Sequence, residues 1–435
     1  MRRVWLRSAA VTAAVAGLVL IASGVANPYP LDGYKRTGIR RLEAYRRVQE
    51  GVLPGRKLPP GAGLREAEIT LHLAGSGGGL DEDFDITEAT PRDPYLQRGL
   101  ERIFRGRDPH YSVALLDITD PRDPKYAALR ENLPYQTGSI GKLAVLTGLF
   151  ARLALAYPDT VSRIRVLRET QVTADAFVGP DQHAVPIVDL AAGKLNHRVA
   201  RVGDTFTLWE WADHMVSPSS NGAGSMVWKQ VMLLARFGPD YPPSPEREVA
   251  YFGETSRSML QDHSVRAINE PLRRLGIEES GFRQGTFFTS GAQRVVPGIA
   301  SRWTPRALLR WLVKLEQGKV VDRWSSLEMK KLLYFTRRRY RYASSPELRE
   351  AAVYFKSGSL YSCRPEPGFT CRQYQGNRFN YMNSVTIVES PARGPDRRVY
   401  LVTLASNVLR RNSAAEHREL ATLIERLVQG RQDER

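Results

Sequence analysis

The sequence predicts an α/β fold of the α+β sandwich kind, an antiparallel sheet flanked by helices with an all-helical lobe beside it. Three observations carry this expectation. One strand pattern, at 111–117, stands far from three others near the C-terminus, at 353–361, 379–389 and 399–407, all rich in β-branched and aromatic residues. The stretch between them reads chiefly as helix, with apolar residues recurring at helical spacing. A final amphipathic run, 413–428, reads as a closing helix. Strand, helical block, strands, helix is the order expected of a sheet covered on both faces plus a lobe.

Taken in order, residues 1–26 read as a signal peptide or signal anchor: 1–7 is basic, 9–26 is apolar and alanine-rich, and Gly24-Val-Ala26 offers a cleavage site. Arg2-Arg3-Val-Trp-Leu resembles a twin-arginine signal, but so short a basic region favours ordinary secretion. The apolar run, about 18 residues, is near the lower limit for spanning a bilayer, which leaves open an uncleaved membrane anchor through residues 8–26. Residues 27–94, rich in proline, glycine and charge, read as a linker or small appendage with a helix at 37–50 and a short strand at 69–73. The glycine run 75–79 lacks the Lys-Ser/Thr of a phosphate loop. The acidic run 81–85 lacks the glycine and distal glutamate of a calcium loop. A main domain, 95–435, opens with a helix at 95–104 and the strand at 111–117; an Asp-Pro turn and a short strand then lead into Ser139. Helices follow Ser139, occupy 208–215 and follow Asn221; Thr304-Pro305, an N-cap with proline at the first helical position, announces another at 305–316.

Tyr135-Gln-Thr-Gly-Ser139-Ile-Gly-Lys142 sets a serine and a lysine one turn apart at the head of the run Leu143, Leu146, Leu149, Phe150, Leu153. Side chains three apart share a helix face and lean toward its N-terminus, so Lys142 should lean back over Ser139. A serine hydroxyl is a poor nucleophile until a base takes its proton, and a desolvated lysine can be that base. Two further motifs follow, each found once: Ser219-Ser-Asn221 after the amphipathic run 207–215, and Lys356-Ser357-Gly358-Ser359 inside the strand at 353–361.

These three motifs, in this order, resemble those of the penicillin-recognising serine enzymes, the class A β-lactamases, DD-peptidases and their relatives. The resemblance covers roughly residues 95–428 and implies a β-lactamase/transpeptidase-like fold with its site between sheet and lobe. It implies Ser139 as nucleophile and Lys142 as its base, with Ser219 relaying a proton to the leaving amine and Asn221 holding a substrate amide. Lys356 would offer a cation to a substrate carboxylate and Ser357 a hydroxyl beside it. Gly358 would let substrate lie against the strand edge. The backbone N–H groups of Ser139 and Ser359 would form the oxyanion hole. The substrate implied is a β-lactam or a peptidoglycan-type amide. A DD-peptidase-like or other envelope esterase or amidase is the alternative; a silent binding or scaffold protein of the envelope is the alternative from another class.

One departure is plain. Class A β-lactamases carry a Glu-x-x-Leu-Asn segment before the Thr-Pro helix, whose glutamate activates the deacylating water. Here 281–297 contains no acidic residue, and Glu278-Glu279 just before it lacks the motif. Deacylation is therefore expected to be slow. The long stretches 157–202 and 237–262 are expected to build the rim of the cleft and suit a larger substrate. Glu246, Glu248 and Glu254 in the second have no assignable role.

Net charge is +17, from 63 basic and 46 acidic residues. Without a binding motif this does not indicate nucleic acid, and an anionic envelope surface is the better partner. The densest basic run, Arg337–Arg341, reads as a solvated helix end or loop. Cys363 and Cys371, just beyond the Lys356 strand, read as a disulfide of an exported protein, placing the domain in the periplasm or otherwise outside the cytoplasm. A metal pair fails for want of nearby histidines. The seven histidines show no ligand spacing, and no Gly-x-Ser-x-Gly elbow is present. No cofactor is indicated.

Overall fold

The computed structural model describes residues 31–58, 62–74, 84–336 and 339–430. The segment 1–26, the glycine run 75–79, Asp81–Asp83 and Arg337–Arg338 lie outside them.

Five strands form the main sheet: β1 (Tyr111–Asp117), β2 (Lys125–Leu129), β3 (Ala352–Ser362), β4 (Phe379–Ser390) and β5 (Arg398–Asn407). Their order is β2-β1-β5-β4-β3 and every pairing is antiparallel. Alternation along a strand sends side chains to opposite faces, and here both faces are buried. Val113 and Leu115 join Leu420 and Ile424 of the closing helix Ser413–Val428 and Leu96 and Leu100 of the helix Pro94–Phe104. Ala114 and Leu116 enter the larger core with Leu308 and Leu312 of the helix Pro305–Glu316. The sheet is thus flanked by helices on both faces, as expected.

The lobe is built around the helix Lys142–Ala156, apolar on nearly every side and buried accordingly. The helices Asn221–Phe237, Arg257–Arg274 and Leu208–Val216 surround it. The lobe is not purely helical. Gln171–Thr173 pairs with Thr205–Thr207 and Ala184–Asp189 with Lys194–Val199, so the expected all-helical lobe carries short ladders in the long stretch before Leu208.

Two expectations for the appendage change. The helix read at 37–50 begins at Arg40, because Gly38, at φ 72°, closes a separate turn over Tyr34–Thr37. No strand forms at 69–73; this irregular stretch is tied instead to Glu316, whose carboxylate accepts from His72 N at 2.7 Å and whose carbonyl accepts from Leu73 N at 3.1 Å. The helix Arg40–Gln49 docks on the lobe through a buried ion pair, Arg41 to Asp213 at 2.5 and 2.6 Å.

Candidate active site

Ser139 lies in a single 3-10 turn, Gly138–Gly141, immediately before the long helix. Lys142 is fully buried, and its Nζ donates to Ser139 Oγ at 3.0 Å, Ser219 O at 2.8 Å and Asn221 Oδ1 at 2.8 Å. The lean of Lys142 over Ser139 is therefore present. Lys356, also buried, donates to Ser219 Oγ at 2.8 Å and to Ser357 O at 2.9 Å. Ser219 stands between the two lysines, its backbone at φ 62°. That region costs a non-glycine residue about 1–3 kcal/mol and is held only where surroundings over-determine it.

The β3 edge meets the Ser139 turn through two glycines. A β-carbon at Gly358 would lie 2.5 Å from Thr137 O and 2.9 Å from Ser139 N; one at Gly138 would lie 3.1 Å from Ser359 N. Only glycine permits so close an approach of the two backbones, which sets the Ser139 turn directly against the segment carrying Ser359. Asn383, opposite Gly358 on β4, anchors the turn by donating to Gln136 O at 2.8 Å and Thr137 O at 3.1 Å.

All eight predicted catalytic and substrate-binding residues thus converge where sheet and lobe meet. Cys363 and Cys371 form the expected disulfide in the β3–β4 connection, with Cα atoms 6.1 Å apart.

Arg341 overturns one expectation. The basic run it ends was read as solvated, yet Arg341 is buried and sits behind β3. Its Nη1 donates to Ser357 Oγ at 2.7 Å and its Nη2 to Ser359 Oγ at 2.9 Å and Tyr374 Oη at 3.2 Å. The guanidinium lies between the Tyr340 and Tyr374 rings, 4.4 and 4.9 Å from their centroids. Both serine oxygens accept from Arg341, so both hydroxyl hydrogens are left to be donated elsewhere, which suits an anionic or carbonyl group on the open side. The signal was the arginine density itself; burial could not be read from it.

Sequence reasoning also missed what faces Lys142 from the lobe. The Phe288 ring centroid is 4.8 Å from Lys142 Nζ, and Gly224 leaves room for it: a β-carbon there would lie 2.7 Å from that ring. Gln284 accepts from Thr137 Oγ1 at 2.8 Å and fills the space beside Gly141. Two of the glutamates in the flanking stretches pair with basic side chains, Glu279 with Arg273 and Arg283 and Glu248 with Lys229. Behind the Ser219 loop, Asp181 accepts from Ser220 Oγ and from Gly222 N. Burial works against its charge, but hydrogen bonds from His183, Gly222 and Ser220 outweigh this and hold its pKa well below the usual carboxylate range. Among the described residues no cluster of potential metal ligands occurs.

No protein-family model matches the chain, and no curated protein matches it in sequence. Its fold is that of solved β-lactamases. It is similar to the TLA-3 extended-spectrum β-lactamase at TM-score 0.50 and 14% identity, over 77% of this chain and 97% of that one. It is similar to a β-lactamase from Chitinophaga pinensis DSM 2588 at TM-score 0.50 and 14% identity, over 78% of this chain and 99% of that one.

Proposed function

We propose that this chain is an exported serine hydrolase that opens an amide, a β-lactam or a peptidoglycan-type peptide, through an acyl-enzyme on Ser139. The observation that carries the reading is the buried Lys142 amine 3.0 Å from Ser139 Oγ. A lysine out of water releases its proton more readily than a hydrated one, which suits it to act as a base. Ser139 Oγ attacks the carbonyl carbon as its proton passes to Lys142. Ser219 hands its own proton to the departing nitrogen and recovers one from Lys142, and the C–N bond breaks. Asn221 holds the substrate amide; Lys356, Ser357 and Ser359 receive its anionic end; Gly358 leaves room along the strand. The N–H groups of Ser139 and Ser359 stabilise the oxyanion. Water then releases the acid.

Release is the slow step on this reading. The stretch 281–297 has no carboxylate, and a phenyl ring stands beside Lys142. This favours a penicillin-binding, DD-peptidase-like enzyme over a resistance enzyme. Export rests on residues 1–26 and on a disulfide, a bond at home outside the cytoplasm. The +17 charge would favour residence at an anionic envelope surface.

The test is an intact-mass time course with benzylpenicillin. A long-lived adduct on the wild type and none on Ser139→Ala is expected. Rapid nitrocefin turnover would refute slow release, and no adduct at all would favour a scaffold.

A further inference from the structure

The Ser219-Ser-Asn221 loop presents two side chains to the buried lysines, while its middle residue turns the other way. Ser220 Oγ donates to Asp181 Oδ2 at 2.7 Å and accepts from Ala223 N at 2.9 Å, capping the helix Asn221–Phe237. Asp181 Oδ2 also accepts from Gly222 N at 2.9 Å. Its other oxygen accepts from His183 Nδ1 at 2.7 Å, His183 N at 3.1 Å and Gln182 N at 2.7 Å. The Asp181 side chain is 1% exposed. Gly222 lies so close to Val178 that a β-carbon would come within 2.4 Å of its carbonyl oxygen. The stretch 176–183, inside the long stretch before Leu208, is thus set firmly under the loop that holds Ser219 in its left-handed conformation.

We propose that Asp181, oriented by His183, is a positioning residue for acyl transfer: it fixes Ser220 and Gly222 and thereby the places of the Ser219 hydroxyl and the Asn221 amide. This rests on the acyl-enzyme reading above. A buried carboxylate accepting five hydrogen bonds is a rigid anchor, because each bond is charge-assisted and few alternative partners exist away from water. A proton relay tolerates little displacement; an error of about 1 Å can cost on the order of a hundredfold in rate.

The experiment compares wild type, Asp181→Asn, Ser220→Asp and the double variant, using a fluorescent penicillin and thermal unfolding. Asp181→Asn should stay folded at the assay temperature and lose about tenfold to a hundredfold in the maximal acylation rate, with half-saturation little changed. Ser220→Asp alone should also be slow, because two buried carboxylates then share one pocket. In the double variant the carboxylate at 220 can itself cap Gly222 and Ala223, and acylation should return to within about threefold of wild type. Asp181→Asn acylating at the wild-type rate, or a double variant slower than either single one, would overturn the inference alone. An unlabelled wild type would overturn the acyl-enzyme reading, and the inference with it.

Discussion

The two sides of Ser139 are built from opposite materials. Toward β3 and the Ser219 loop, amines and hydroxyls hold one another in a continuous set: Lys142, Ser219, Asn221, Lys356, Ser357, Ser359 and Arg341. Toward 281–297, Lys142 meets the Phe288 ring, backed by Trp228 and Phe287, stacked 4.2 Å apart. On the acyl-enzyme reading proposed above, the first side supplies the groups that form the ester, while the second presents rings where a base for water would stand. The contrast teaches that, on that reading, attack and release call for separate equipment built from separate segments of the chain.

The comparison breaks most sharply at Lys142. Lys142→Ala should lower the acylation rate by roughly a thousandfold or more, as expected for loss of the activating base; stopped-flow labelling retained within tenfold would move that role elsewhere. Arg341→Ala should come next. With Ser357 and Ser359 no longer oriented, kcat/KM for a substrate bearing a carboxylate should fall about tenfold to a hundredfold, and far less for its methyl ester. Equal losses on both would mean that Arg341 merely supports β3. Phe288→Glu sharpens the contrast from the apolar side by placing a carboxylate beside Lys142. The adduct's half-life should shorten by about tenfold, a modest share of what a well-placed base provides; an unchanged half-life in the mass time course would show that slow release has another cause.

The smallest effect concerns the support beneath the polar side. His214, whose carbonyl accepts from Ser220 N at 3.1 Å, is buried, and neither ring nitrogen has a hydrogen-bond partner among the described residues. Burial, with the nearby guanidiniums of Arg41 and Arg40, holds its pKa down at about 3. The unfolded chain takes up that proton near pH 6.5 and the folded one does not. Stability present above pH 6.5 is therefore lost as pH falls toward 3, by up to about 1.4 kcal/mol per unit. His214→Leu should flatten the fall in Tm between pH 6.5 and 5; an identical slope would place the acid sensitivity at other groups, such as buried His417, also held at about 3.

How much was legible follows from the range of each signal. The run at 111–117 matches β1 residue for residue because it is a short, continuous apolar run buried on both faces, and the helices at 305–316 and 413–428 match because each has helical spacing and a side-chain N-cap. The helix Arg257–Arg274 was not read; Pro271 inside it and a mixed surface blur its period. Glu279, which lacks the motif, is taken up by Arg273, an arginine nearby in sequence. Arg341 was misread and Asp181 missed, although both touch residues that were named.

By itself the sequence determined the order of the main sheet's strands and of the helices at 305–316 and 413–428, the pairing of Ser139 with Lys142, and the absence of acid from 281–297. These are properties of neighbours along the chain or of composition, and they survive without knowledge of the fold. Tertiary structure alone decided that Arg341 is buried behind β3, that Asp181 stands under Ser220, and that Phe288 faces Lys142. Each joins segments from 16 to 146 residues apart, and Arg341 contacts Ser357 at the short end of that range. The physical reason is that burial and charge partners are set by which surfaces the core brings together, and no local pattern of residues encodes that choice.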